Sequence, residues 1–423
     1  MIRSRTARLI AGIVSGVATS VTPPAAVPGP ASAATASSGT KARKRRGLGA
    51  ALVLVTASLL AVATTTAASA SPSAPNSCAK IHDKVGKSHI AIMAAAGTCV
   101  ADHASDVANG TPPLIWHGGA VMGTRATGPV VVTPIFWSPS NYPMAFSYKA
   151  LLLNYHGAVA NSSGHLTNVY SVLTEYFGSN GQIRYQFNPA FPIFDSNPLP
   201  ASGCTVASQD TFGIYADGSG YSACLDDAQI TAEIDSVTAA RGLAHNLSHI
   251  YVIYLPKHVE SCFLPGETTD PSDGQFCTIN YEPTAAYCAY HSADPASAVY
   301  ANMAYPIYAS PVGFTCGSDA RFPVLESPNG NPDADTEISP SSHEIIEAIT
   351  DPDTESGWYD EPLTFEIGDE CAYIYGRTSG APGAYFNQVI NGGHFLTQEE
   401  FSNKVFASSG GTVGCFQSQS DEH

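Results

Sequence analysis

The stretch Ser341-Ser342-His343-Glu344-Ile345-Ile346-Glu347-Ala348-Ile349-Thr350-Asp351 decides the reading of this chain. At about 100° per residue on a helix, His343, Glu344, Glu347, Thr350 and Asp351 share one arc of roughly 120°. Ile345, Ala348 and Ile349 take the opposite face, with Ile346 on the flank. Only 13% of all residues are charged, so an imidazole and three carboxylates on one face of an apolar helix stand out. Burying them is costly unless a cation or a partner neutralises them. His343 and Glu347, four residues apart, reach one point beyond the helix, and Glu344, one step round, aims at a water held there. These are the roles of an H-E-x-x-H metal helix, with glutamate in place of the second histidine. The third ligand has to come from elsewhere, and Glu366 is the candidate. Asp369 or Glu370 is spaced to hydrogen-bond the other nitrogen of His343, and Asp351 to brace the helix. The competing reading is an ordinary solvated acidic helix face.

Three protein ligands and an open position are the catalytic arrangement of zinc, which lowers the pKa of its water so that Glu344 can act as general base. A His-Glu-Glu set is harder and more anionic than His-His-Glu, which leaves manganese or calcium open beside zinc. His291, His394 and Tyr359 are candidates for stabilising an oxyanion, each set against a plain structural role. Asn331 to Glu337 alternates Asp333, Asp335 and Glu337, either calcium ligands or a solvated acidic loop. Ala298 to Tyr305 reads as a strand, either an edge for an extended peptide or a plain member of a sheet. No phosphate loop, dinucleotide fingerprint or G-x-S-x-G elbow is present.

Outward from the helix, Ser339-Pro340 is spaced as N-cap and first-turn proline, and Pro352 as a stop. Pro362 opens a second short helix bearing Glu366, Asp369 and Glu370. Val130 to Trp137 and Ile250 to Leu255 read as buried strands, Tyr148 to Val159, Leu166 to Phe177 and Asp226 to Arg241 as helices, and Gln182 to Phe187 as a strand. Asn387 to Gln398 reads as a hairpin turning at Asn391-Gly392-Gly393. Strands and helices intermix irregularly, so the expected class is α+β.

Lys41 to Arg46 is basic, Leu48 to Val62 apolar, and Ala68-Ser69-Ala70 has the form of a cleavage site, so residues 1–70 read as a signal or targeting region cut after Ala70. No later run reaches membrane length. Residues 71–113 read as an N-terminal appendage or pro-segment with a helical centre, and 114–423 as one domain. The first 70 residues hold eight of the 19 basic residues and no acidic ones, which leaves 11 against 36 and a net charge of −25. Such acidity excludes nucleic acid as partner, since that needs a basic footprint. All ten cysteines follow the cleavage motif, and an even count in an exported chain favours disulfides between neighbours such as Cys204 and Cys224.

His343 to Asp351 resembles the H-E-x-x-H-A-V-T-D helix of the gluzincin branch of zincin metallopeptidases, and Phe365 to Asp369 its N-E-x-x-S-D element. That resemblance implies a zincin-like mixed sheet, with His343 and Glu366 as ligands, Glu344 as base and Asp369 or Glu370 orienting His343. Glu347 is the departure. A wider resemblance, over most of Leu114 to Cys415, is to the secreted EXORDIUM, or phosphate-induced protein 1, family of plants and its bacterial relatives. Trp116-His117-Gly118-Gly119, Val132 to Trp137, Tyr170 to Tyr176, Cys288-Ala-Tyr-His291, the His343 helix, Trp358-Tyr359 and Glu366-Ile367-Gly368-Asp369 with Cys371 carry it. It implies an exported or wall-associated protein. The expectation is a secreted metal-dependent hydrolase acting on an extracellular peptide or cell-wall component. The alternative is a non-catalytic extracellular binding or signalling protein, with a structural metal or an acidic core.

Overall fold

The computed structural model describes residues 90–94, 113–201, 203–206, 208–263, 276–279, 287–294, 298–310, 315–360 and 364–419. The chain separates into two units, Met1–Ser69 and Ala70–His423, and every described residue belongs to the second. Residues 1–70, read above as a targeting region, together with Cys78, Cys99 and most of 71–113, lie outside the described residues.

Seven strands form one mixed sheet: β1 (Ile90–Ala94), β2 (Val130–Trp137), β3 (Phe187–Asn188), β4 (Ile193–Asp195), β5 (His249–Tyr254), β6 (Tyr287–Ala293) and β7 (Val299–Met303). Their spatial order is β1-β6-β7-β5-β2-β3, with β4 also on β2. β7, β5, β2, β3 and β4 run parallel, while β6 is antiparallel to β7 and β1 antiparallel to β6. β7 is thus an interior strand, the plainer of its two readings.

Strand periodicity sorts the core into two layers. Val130, Val132, Ile250, Val252, Ala289 and Ala301 join a large cluster with α1 (Phe146–Asn161) and α3 (Pro332–Thr350). Ile135, Trp137, Tyr251, Ile253, Tyr290 and Tyr300 join a second with α2 (Asp227–Ala239). A sheet covered on both faces explains why its strands are apolar nearly throughout. α2 starts where Asp226 caps it, accepting from the Gln229 N–H at 2.8 Å. The hairpin Gln388–Ile390 and Gly393–Phe395 turns through Asn391 (φ 47°) and Gly392 (φ 80°), the left-handed pair that a two-residue hairpin turn demands.

The expected helix over Leu166–Phe177 is a tighter 3-10 turn, Val169–Glu175, and the expected strand over Gln182–Phe187 survives only as Gly181–Gln182 and Phe187–Asn188. Within the appendage, residues 90–94 are a strand, because a sheet edge supplies partners that an Ala-rich run lacks alone. α3 opens at Asn331-Pro332, not at Ser339-Pro340, with the Asn331 side chain accepting from the Ala334 N–H. Pro332 occupies the first turn, where no amide donor is needed. Pro340 lies inside the helix and deprives the Thr336 carbonyl of its partner; burial of the helix from Ala334 to Thr350 offsets that loss. The second acidic helix reduces to the 3-10 turn Asp369–Cys371, with Glu366 just ahead of it.

Disulfides join Cys204 to Cys224, Cys262 to Cys277, Cys288 to Cys316 and Cys371 to Cys415, so neighbours pair throughout the described residues. The last ties the Asp369–Cys371 turn to the strand Cys415–Phe416. Among the described residues no helix is long and apolar enough to cross a membrane.

Candidate metal centre

α3 carries His343, Glu344 and Glu347 beneath the sheet, β6 brings His291 down onto them, and the turn before Asp369 delivers Glu366. All five are at most 1% exposed. The solvated-face reading is therefore excluded: the polar arc of α3 is covered by β6, β1 and the Glu366 turn. Asp333 accepts from the hydroxyls of Tyr305 and Tyr308, and Asp335 from Ser327, Asn329 and Asn331, so these acids serve the start of α3.

Two sets of donor atoms lie within 4.8 Å of one another, His291 with Glu347 and Glu366, and His343 with Glu344 and Glu347. The expected trio of His343, Glu347 and Glu366 divides between them, with Glu347 common to both. One oxygen of Glu347, Oε1, accepts from the Gly368 and Asp369 amides at 3.1 Å each and so knits the turn to the helix. Its Oε2 has no hydrogen-bond partner, and neither does Glu366 Oε2. Buried lone pairs without a donor each cost roughly 1–3 kcal/mol, more when charged. A cation would satisfy the oxygens together.

The two histidines differ in what stands behind them. His291 Nε2 lies 3.1 Å from the Asp351 carbonyl, which can only accept, so this nitrogen carries a proton. Its Nδ1 faces Glu344 Oε2 at 3.1 Å and Glu347 Oε2 at 3.6 Å. A histidine that gives one N–H to a backbone carbonyl and keeps its other nitrogen for a cation has the habit of a metal ligand; Nε2 here also lies 3.7 Å from Glu366 Oε2. Around His343 the polarity is reversed. Gln398 Nε2 lies 2.7 Å from the Gly368 carbonyl, which identifies it as the amide nitrogen, and 2.9 Å from His343 Nδ1. Nδ1 must accept, so the proton of neutral His343 sits on Nε2, 3.0 Å from Glu347 Oε1 and 3.6 Å from Asp369 Oδ1. Gln398, not Asp369 or Glu370, thus orients His343. The close packing here needs glycine at 368, since a Cβ there would lie 2.5 Å from His343 Nδ1.

Asp369 Oδ2 instead accepts from the Glu366 amide at 3.2 Å, and the Glu370 N–H donates to the Glu366 carbonyl at 3.2 Å. Asp351 ends α3 and braces the next turn, accepting from the Gly357 N–H at 2.8 Å. Burial raises its carboxyl to about 7, against the opposing Gly357 hydrogen bond. Burial likewise holds Glu344, Glu366 and Asp369 above the ordinary carboxylate range, with neighbouring acids adding to it. Burial lowers His291, but its hydrogen bond to Glu344 and the charges of Glu344 and Glu347 outweigh that and leave it raised.

Of the three oxyanion candidates, only His291 reaches the cluster. His394 is exposed on the hairpin, stacked on Phe386 at 3.9 Å, and Tyr359 stacks on His117 at 3.4 Å. Glu400, also buried and raised by burial, feels the charges of His343, Glu347 and Glu344. Neither Gln398 nor Glu400 carries a periodic or motif signal; they reach the cluster through the chain reversal after the hairpin. The site is that of a buried two-histidine, multi-carboxylate centre. Comparison of the chain with protein-family profiles, curated proteins and solved structures finds no match.

Proposed function

We propose that this cluster seats one divalent cation, zinc above manganese or calcium, and that the protein is an exported zincin-like hydrolase of peptide or related acyl bonds. The observation that carries the proposal is the pair of donorless oxygens, Glu347 Oε2 and Glu366 Oε2, on two buried residues that share one 4.8 Å donor set with His291. A cation bound there would supply Lewis acidity and make a nearby water more acidic. Glu347, Glu366 and His291 have atoms free or inward-facing for it, and His343 joins if Gln398 turns its amide over. Glu344, in hydrogen-bond contact with His291 and raised by burial, is suited to take up and return a proton. The antiparallel strand beside α3, α1 and α3 on one face, and the acid from a following turn support the zincin-like reading. The EXORDIUM-like motifs support an extracellular or wall-associated setting.

A second reading has its own support. Complete enclosure of the cluster, and a Gln398 amide that keeps a proton on His343 Nε2, favour a structural cation in a non-catalytic binding or signalling protein. Metal analysis of the gently purified protein, with hydrolysis of fluorescein-labelled casein by wild type and Glu344→Gln, separates the two. Stoichiometric zinc in both proteins and turnover only in wild type is the expected result. Full activity in Glu344→Gln refutes the mechanism, and absence of bound metal leaves only a hydrogen-bonded acidic core.

A further inference from the structure

β1 lies far ahead of β6 in sequence, yet pairs with it in antiparallel register: Ile90 opposite Ser292, Ala91 opposite His291, Ile92 opposite Tyr290 and Met93 opposite Ala289. Without β1, β6 would end the sheet, its N–H and C=O groups open to any extended chain. The register then shifts between Met93 and Ala94. At that irregularity the Met93 N–H donates to Glu344 Oε1 at 3.2 Å. The Ile92–Met93 amide is therefore set against the one carboxylate the sequence marks as a general base, itself bound through its other oxygen to His291. The Met93 side chain is 0% exposed and belongs to the core cluster that holds α3 and Ala289. Ala91 and Ala301, both small residues, stand opposite His291 on the two neighbouring strands.

An ordinary edge strand turns its outer amides to water. This one hands an amide to a buried catalytic-type carboxylate and drives an apolar side chain into the core beside it. We propose that Ile90–Ala94 is a displaceable internal strand that closes the centre. Its release opens the β6 edge to another extended polypeptide with an apolar residue at the Met93 position. This rests on the hydrolase reading for its purpose and adds a substrate class and a latent state, but it is tested without turnover. Strand addition draws affinity from main-chain hydrogen bonds and specificity from alternate side-chain pockets, and occupancy by the chain's own strand lowers apparent affinity by the fraction open.

The probe is a fluorescein-labelled synthetic peptide of residues 88–96, Ser-His-Ile-Ala-Ile-Met-Ala-Ala-Ala, followed by fluorescence anisotropy in EDTA. The proteins are the full chain and its variants Met93→Pro, which removes the N–H to Glu344, and Met93→Gly, which keeps the N–H and empties the pocket. A third variant, Ile90→Cys with Ser292→Cys, staples the strand at a directly opposed pair. Met93→Pro and Met93→Gly should bind the peptide at least tenfold more tightly than wild type. The staple should bind none, and a peptide with aspartate at the methionine position should not compete. If natively folded Met93→Pro and Met93→Gly, by circular dichroism, fail to bind at 100 μM peptide, β1 is a permanent strand and the proposal falls. Binding of the peptide by the staple as tightly as by Met93→Gly overturns it as well. Because no metal or turnover enters the measurement, loss of the hydrolase reading leaves its outcome intact.

Discussion

Replacing Glu347 by glutamine separates a cation centre from an acidic core, because only the cation centre makes the difference between variant and wild type depend on zinc. In Glu347→Gln the new side chain would keep Oε1 as acceptor for the Gly368 and Asp369 amides, both at 3.1 Å. It would put an amide nitrogen where Oε2 now has no donor, facing His291 Nδ1 across 3.6 Å. In EDTA this removes a buried oxygen without a partner, so the variant should match or exceed wild type by roughly 1–3 kcal/mol. With zinc that advantage is offset. At a free concentration about 1,000 times Kd, wild type gains ~4 kcal/mol from binding. Loss of even a supporting residue weakens metal sites by about 10–100-fold. Loss of the carboxylate common to both donor sets belongs at the upper end, which leaves zinc about tenfold above Kd and a gain of ~1.4 kcal/mol. The zinc-dependent increment should therefore shrink by ~2.7 kcal/mol. Urea unfolding of both proteins, with EDTA and with buffered zinc, reads all four quantities. An equal zinc increment in wild type and variant, or none in either, would refute the centre.

Two further outcomes follow from individual residues. Gly368→Ala would drive a Cβ to 2.5 Å from His343 Nδ1, so a loss of about 1–3 kcal/mol is expected, read as a lower urea midpoint; an unchanged midpoint would mean the turn and α3 are not held together. His156, on α1, is pushed down to about 4 by burial, its Nε2 2.7 Å from the Tyr254 hydroxyl. Its folded pKa lies below the unfolded value near 6.5, so between these values the unfolded chain binds more protons and stability falls as pH drops. The contribution amounts to about 3 kcal/mol by pH 4. Unfolding free energies of wild type and His156→Gln at pH 7.5 and 4.5 should therefore diverge, with the variant losing less on acidification, and parallel behaviour would contradict a half-buried neutral imidazole.

What the sequence determined by itself is local. The i, i+4 spacing of His343 and Glu347, the apolar runs of β2 and β5, the Asp226 cap and the Asn391-Gly392 turn all act within a few residues, where backbone geometry and side-chain chemistry leave few choices. Neighbouring cysteines also paired, but across 15 to 44 residues, a distance that only the folded chain closes. The start of α3 is not local in this sense: Asn331-Pro332 and Ser339-Pro340 carry the same signal, and only burial of the earlier turns against the rest of the fold selects the first. Tertiary structure alone decided which nitrogens and oxygens face one another. It brought His291 from β6, 52 positions before His343, set Gln398 behind His343, and closed the centre with a strand from residues 90–94. The same acidic arc would be an ordinary solvated face on an exposed helix. Its burial, and with it the demand for a compensating charge, comes from the layers packed around α3, which no local pattern in the chain encodes.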